Sequence, residues 1–407
     1  MPACPAVKLP ASSKFTATPF ATGLPASGQW RDGFDLADMD GDGRLDLLHG
    51  PPRKGKPEPV IFLGDGKGHF HRWTTAHYAP LPYDYGDAKA GDFNGDGRMD
   101  MVLSAHLRGI VTLVAEPGGN YAPWGETLTL AEPAQTVADP PFSSRNLAVV
   151  DWDGDGKPDI LALNEGPTRF QTGAPAQALG LWLNRPGYWE RLHPKNPLQS
   201  FGDSLAVGDV DGDGHPDALI GTQAAGSRFA LQIGDGGGFH SRELRSLPLD
   251  ATVTAVALHD FNGDGHADVV DAPRAVGTQF CTSLQWVDVA NPDRERYQAL
   301  WSEPSRNPVS VIVVGDIDHD GHDDIVAVRE RGGALAFAGR KGGFSHDIAI
   351  EPPADMADCV AYDAKLADLD GDGALELLVS YAGDDIGTGT NRCESGGGFL
   401  AWKLGVR

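Results

Sequence analysis

Seven times along its 407 residues the chain repeats a nonamer of the form D-x-[DN]-x-D-G-x-x-[DE]. Side-chain oxygens fall at positions one, three, five and nine. The seven sets are Asp38, Asp40, Asp42 and Asp46; Asp92, Asn94, Asp96 and Asp100; Asp151, Asp153, Asp155 and Asp159; Asp209, Asp211, Asp213 and Asp217; Asp260, Asn262, Asp264 and Asp268; Asp316, Asp318, Asp320 and Asp324; and Asp368, Asp370, Asp372 and Glu376. Hard cations take roughly six to eight oxygen ligands, and calcium accepts the irregular geometry a loop offers. Glycine at position six permits the sharp turn that returns position nine to the others. A backbone carbonyl at position seven would add a ligand whatever the side chain. That accounts for the variety found there: Arg44, Arg98, Lys157, His215, His266, His322 and Ala374. The chemistry expected is calcium binding, up to seven ions, one per repeat.

An EF-hand loop would need Glu at position twelve and helices on both sides. Position twelve is instead His49, Leu103, Ala162, Ile220, Asp271, Ala327 and Val379, between strand-like flanks. The loops read as structural staples rather than catalytic centres. Seven copies of one site cannot all face one substrate, and a saturated calcium ion has no open position for chemistry. Asn94 and Asn262 lower the charge of loops two and five, where weaker binding is expected. Loop six carries His319 where every other loop has Gly at position four.

Pairs of strands must position these loops. The nonamers recur at intervals of 51 to 59 residues. An apolar stretch precedes each one, as at residues 147–150 and 311–314, and a second follows, as at 45–48 and 160–163. A third comes one loop later, as at 60–63 and 179–183. A Gly-rich turn then leads to a mixed fourth stretch, as at 70–74. Short runs rich in β-branched and aromatic residues, bounded by turns, are strand signals. Four strands per unit at this period predict propeller blades. The fold expected is all-β: a seven-bladed β-propeller with four-stranded blades. The last unit ends after its third stretch, at 399–404, while residues 14–20 look like the fourth strands elsewhere. The ring is therefore expected to close through this N-terminal strand completing the last blade. Residues 1–13 are then a tail, and 14–407 a single propeller.

At this level the chain resembles the FG-GAP/VCBS repeat family, the calcium-binding propellers similar to the head of integrin α chains. The resemblance covers essentially residues 14–407 and rests on the nonamer. The name-giving Phe-Gly is weak, seen as Phe201-Gly202 and loosely as Tyr85-Gly86. The resemblance implies that each nonamer joins the first two strands of a blade on one face, and that ligands meet the opposite face.

Opposite the nonamers the connecting loops are long and unlike one another, as expected where a repeated scaffold carries a site. They hold His49, His77, Tyr85, His106, Arg108 and Arg145, with Arg228, Arg274, Arg306, Arg329 and Arg331 as a possible basic rim. Aromatic rings stack on sugars and Arg forks grip carboxylates. The first reading is a binding module for a carbohydrate or an extracellular protein. The alternative is a polysaccharide lyase acting on a uronate-containing polymer. There His77, Tyr85 and His106 would serve as acid and base, and Arg108 and Arg145 would neutralise the uronate. No G-x-S-x-G or H-E-x-x-H occurs to support catalysis of other kinds.

Net charge is −24, which disfavours nucleic acid and anionic lipid. Yet 26 of the 57 acids are candidate metal ligands, leaving 31 acids against the chain's 33 bases. An acidic glycan is thus not excluded at the Arg-bearing face. No run of 18 apolar residues predicts a membrane span, and the first ten residues lack the apolar core of a secretory signal. Cys359 and Cys393 fall in loops of one blade on one face and are expected to pair; the pairing of Cys4 and Cys281 is left open. Disulfides and millimolar calcium both belong outside the cytosol. A secreted, periplasmic or cell-surface protein, monomeric, is expected.

Overall fold

The computed structural model describes residues 4, 7, 9–10, 14–52, 56–79, 81, 86–105, 109–124, 144–164, 178–192, 202–222, 230–234, 238–243, 251–275, 280–290, 296–383, 393 and 395–407. Among these there is no helix; 29 strands form seven sheets, antiparallel except for one two-residue pair. The second strand of each repeat shows why. Asp159–Asn164 (DILALN) is buried at every residue. A continuous apolar run of this length suits a strand covered on both faces.

Five of the sheets take their strands in chain order, and sheets two and seven each add an edge strand from earlier in the chain. Sheet one is Phe34–Ala37, Asp46–His49, Val60–Gly64 and Phe70–Arg72. The first strands of sheets two to seven are Ala88–Gly91, Ser144–Val150, Gly202–Gly208, Ala251–His259, Val309–Gly315 and Val360–Ala367. In every sheet the nonamer links the first strand to the second. In sheet seven the outermost strand is Phe15–Phe20, antiparallel to Gly397–Val406 with Phe15 opposite Val406 and Phe20 opposite Ala401. Sheet two holds a fifth strand, His77–Tyr78, parallel to Asn120–Pro123. A two-residue strand has no periodicity to detect, so sequence reading assigned this segment to a loop.

The core is divided. Seven apolar clusters form, one between each pair of consecutive sheets and one between the seventh and the first. In the last, Phe34, Leu47 and Phe62 pack against Leu378, Phe399 and Ala401. Side chains also tie the first strands to one another. Asp35 accepts from the Ala90 amide (2.9 Å), Asp87 from Leu147 (2.8 Å) and Ser204 from Val256 (3.0 Å). Asn146 donates to the Asp203 carbonyl (3.2 Å) and Thr254 to that of Val309 (2.7 Å). Asp363 accepts from the Phe34 amide (3.0 Å), joining the seventh sheet to the first. Two disulfides, Cys359–Cys393 and Cys4–Cys281, have Cα separations of 4.6 and 5.4 Å. The second fixes the N-terminal segment to the third strand of sheet five.

Candidate functional site

Within each nonamer the backbone is wound around the first carboxylate. In loop one, Asp38 Oδ1 accepts from the amides of Gly41 (2.8 Å) and Asp42 (2.9 Å), and Oδ2 from Gly43 (2.8 Å). Asp42 Oδ1 accepts from the position-seven amide, Arg44 N (3.0 Å). This winding needs left-handed backbone at positions four and six, supplied by Gly41 (φ 82°) and Gly43 (φ 84°). His319 takes the same conformation (φ 54°) at position four of loop six. Its Nε2 donates to the Gly373 carbonyl (2.9 Å), which couples loop six to loop seven.

Position nine is a keystone. Asp46, Asp100, Asp159, Asp217 and Asp324 are completely buried, and both carboxylate oxygens of each accept backbone hydrogen bonds. One comes from position two and the other from the third strand: Met39 and Gly64 for Asp46, Trp152 and Asn184 for Asp159. Burial pushes these carboxyls up, to about 6 for Asp46 and about 7 for Asp324, against the opposing pull of the amides. Loops five and seven differ. Asp268 Oδ2 and Glu376 Oε1 are buried without a hydrogen-bond partner.

The donor set suits a hard cation. In loops one, three, four, six and seven, three carboxylates bring oxygens within 4.8 Å of one another. They are Asp38, Asp40 and Asp42; Asp151, Asp153 and Asp159; Asp209, Asp211 and Asp217; Asp316, Asp318 and Asp320; and Asp368, Asp370 and Glu376. Among the described residues no such trio of acids forms in loops two and five, where Asn94 and Asn262 hold position three. Bases rest on several rims: Arg44 on Asp42, Arg98 on Asp96, and Arg185 on Asp153 (2.7 Å) and Asp155 (3.4 Å).

Two cavities lie elsewhere, and no nonamer residue lines either one. The first, about 700 Å³, runs between the first strands of the sheets. Arg31, Asp87, Lys89, Arg274, Arg331 and Asp363 are among its lining residues. Asp87 and Lys89 pair at 2.6 Å, Asp363 and Lys365 at 2.8 Å. Burial alone would lower the Lys89 pKa, but the carboxylates of Asp87, Asp363 and Asp35 outweigh it and raise it. The second cavity, about 780 Å³, has an aromatic floor of Trp30, Trp73 and Tyr78. Lys56, Glu58, Arg72 and His77 stand at its edge. Tyr78 stacks on Tyr121 (5.6 Å), and Trp73 Nε1 donates to Thr75 (3.0 Å).

The opposite-face candidates separate. His77 is exposed beside the second cavity. Tyr85, His106, Arg108 and Arg228 lie outside the described residues, and of Arg145 only the backbone is described. Arg274 and Arg331 line the first cavity. Arg306 covers the Phe280 ring at 4.0 Å, and Arg329 bonds the Gly332 carbonyl. His49 is a core residue, contrary to its reading as loop chemistry. It is wholly buried, edge-on to Trp30 (5.2 Å) and Phe399 (6.0 Å), and burial pushes its pKa down to about 4. Strand pairing with Phe34 turned this ring inward, and no sequence signal marked it. Lys14 and Lys403, which sequence reading passed over, both reach nonamer carboxylates.

A family model for the FG-GAP-like repeat matches residues 55–103, 209–270 and 316–379, regions that hold nonamers two, four, five, six and seven. The chain carries FG-GAP-like repeats. Among its curated relatives, T-cell immunomodulatory protein of Rattus norvegicus is 26% identical over 58% of this chain. The Mus musculus protein of the same name is 24% identical over 72%. The chain aligns with 40% and 49% of those proteins, so it spans about half the length of the curated relatives it matches. Among solved structures, BBS1N in complex with ARL6DN superposes with a TM-score of 0.55 at 11% identity, covering 97% of both chains. The N-terminal domain of Nup159 gives 0.53 at 11% identity, covering 98% of both. These likenesses bear on this chain's fold alone. No helix among its described residues is long and apolar enough to cross a membrane.

Proposed function

We propose that this chain is a calcium-stapled, closed seven-bladed β-propeller that binds a carbohydrate or protein ligand on the face opposite its nonamers. The ring is supported by the apolar cluster between sheets seven and one and by the Asp363–Phe34 bond at the same junction. The staple is supported by the convergent carboxylates and the left-handed glycines that aim them. In a loop that takes metal, a hard cation would be held through positions one, three, five and nine, and it would offset the crowded negative charge.

One observation carries the ligand reading: both cavities are free of nonamer residues. In an antiparallel unit the nonamer occupies one end of the first two strands. The segments before the first strand and after the second therefore lie at the other end, and these line the second cavity. That groove pairs an aromatic floor with rim groups of both signs, which is the chemistry of a polar, ring-bearing ligand such as a sugar. Two disulfides agree with an exported protein, secreted, periplasmic or at the cell surface.

The test is a glycan array and a panel of immobilised extracellular proteins, probed with wild type and Trp73→Ala. A ligand whose affinity drops at least tenfold in Trp73→Ala, with an unchanged melting temperature, supports the reading. A ligand indifferent to Trp73→Ala but lost on changing a nonamer carboxylate would move the site to the other face.

A further inference from the structure

Loop seven differs from the other six at three positions that fit one another. It alone ends in Glu rather than Asp, at Glu376. It alone has no base at position seven, where Ala374 stands in place of Arg, Lys or His. Across the sheet, Glu376 is paired with Lys403. Continuing each register by one pair puts Leu63, Val114, Leu183, Ile233, Asp288 and Ala338 at that place in sheets one to six.

The ammonium of Lys403 lies among the loop's ligand positions. It bonds Asp370 Oδ2 (2.6 Å) at position three and Asp372 Oδ2 at position five, and stands 3.5 Å from Glu376 Oε1 at position nine. Glu376 uses Oε2 for the keystone bond from the Leu369 amide (2.8 Å). In loops one to four and six, the second oxygen of position nine accepts from the third strand. In loop seven the longer Glu arm leaves Oε1 without a hydrogen bond and turned toward the lysine. The Lys403 ammonium lies 5.9 Å from the centre of the Phe20 ring of the N-terminal strand.

We propose that loop seven carries its own cation: the Lys403 ammonium takes the place that calcium takes in the other loops, and loop seven closes without metal. This rests on the calcium reading of those other loops. A calcium ion and an ammonium cannot share three carboxylates, because like charges a few ångströms apart repel and both would need the same oxygens. Two other bases touch nonamers without this geometry. Lys14 reaches only Asp318 (2.8 Å) and Asp320 (2.7 Å) of loop six, and Arg185 only positions three and five of loop three. In both loops the buried Asp at position nine keeps its two backbone bonds, so these bases sit at the rim and can swing away. The consequence falls on the sheet that joins the two chain ends, which stays stapled when calcium is scarce.

The experiment counts bound calcium per chain by equilibrium dialysis and elemental analysis. It compares wild type, Lys403→Met, Asp370→Asn and Asp209→Ala. Lys403→Met is expected to gain one ion, and its melting temperature in chelator to fall and then recover with calcium. Asp370→Asn should leave the wild-type count unchanged, whereas Asp209→Ala in loop four should lower it by one. A count that Lys403→Met leaves unchanged, or that Asp370→Asn lowers by one, overturns the proposal. The second comparison decides the matter if Lys403→Met fails to fold. A wild-type count of zero defeats the calcium reading of the other loops instead. Lys403→Met binding one ion would then still support the built-in cation, and binding none would overturn it.

Discussion

The two faces of this molecule are built on opposite plans. On the nonamer face, one local solution recurs: a carboxylate wrapped by amides of its own loop and, in loops one to four and six, a buried acid at position nine bonded from position two and from the third strand. Away from the nonamers the junctions between first strands are mixed. Asp87 and Asp363 each accept from an amide of the neighbouring sheet and pair with a lysine two residues on, whereas Asn146, Ser204 and Thr254 join neighbouring strands by other bonds. The contrast shows how a repeat protein frees part of its surface. Local loop closure repeated in every unit fixes the sheets, so the distant strand ends can vary without loosening the fold.

Chelation should produce the largest effect. Each loop that binds calcium at a hundredfold excess over Kd adds about 2.7 kcal/mol. Several loops together then approach the whole stability of a domain, on the order of 10 kcal/mol. Scanning calorimetry with EGTA and calcium add-back is expected to show a large, reversible fall in Tm. An unchanged Tm would erase the proposed division of labour between the faces.

The next effect lies on the opposite plan. Lys89→Met leaves Asp87 buried without its ammonium, which should cost roughly 3–5 kcal/mol. Urea unfolding in saturating calcium measures it. A silent substitution would mean that the nonamer face alone holds the ring.

The smallest effect is a pH dependence between the two regions. Asp271, three residues beyond nonamer five, is buried, with Oδ2 accepting from Gln285 (3.2 Å), and burial pushes its pKa up to about 8. The folded state therefore keeps a proton that the unfolded chain releases near pH 4. Its contribution is full below that pH and is lost as pH rises to about 8. Asp271→Asn should flatten this slope by about 2 kcal/mol between pH 6 and 8, as read from denaturation midpoints. An identical slope in wild type and variant would show that Asp271 is ionised in the fold.

Much of this was legible in the chain. The nonamer states its own loop, because its bonds run between residues at most eight apart, and the apolar runs beside it announce strands by composition. Less local features were not legible. His77–Tyr78 joins sheet two only because Asn120 and Tyr121 come alongside. His49 looks like loop chemistry until Trp30 and Phe399 enclose it. Lys403 reads as an ordinary strand lysine until sheet register sets it opposite Glu376.

Sequence by itself determined the all-β class, the seven repeats and the carboxylates each one carries, since those follow from spacing within one short segment. Tertiary structure alone decided which bases meet those carboxylates, which ring of His49 or Trp73 is covered or open, and that Cys4 reaches Cys281 across 277 residues. Such contacts depend on the register and stacking of distant strands, and no local pattern encodes either.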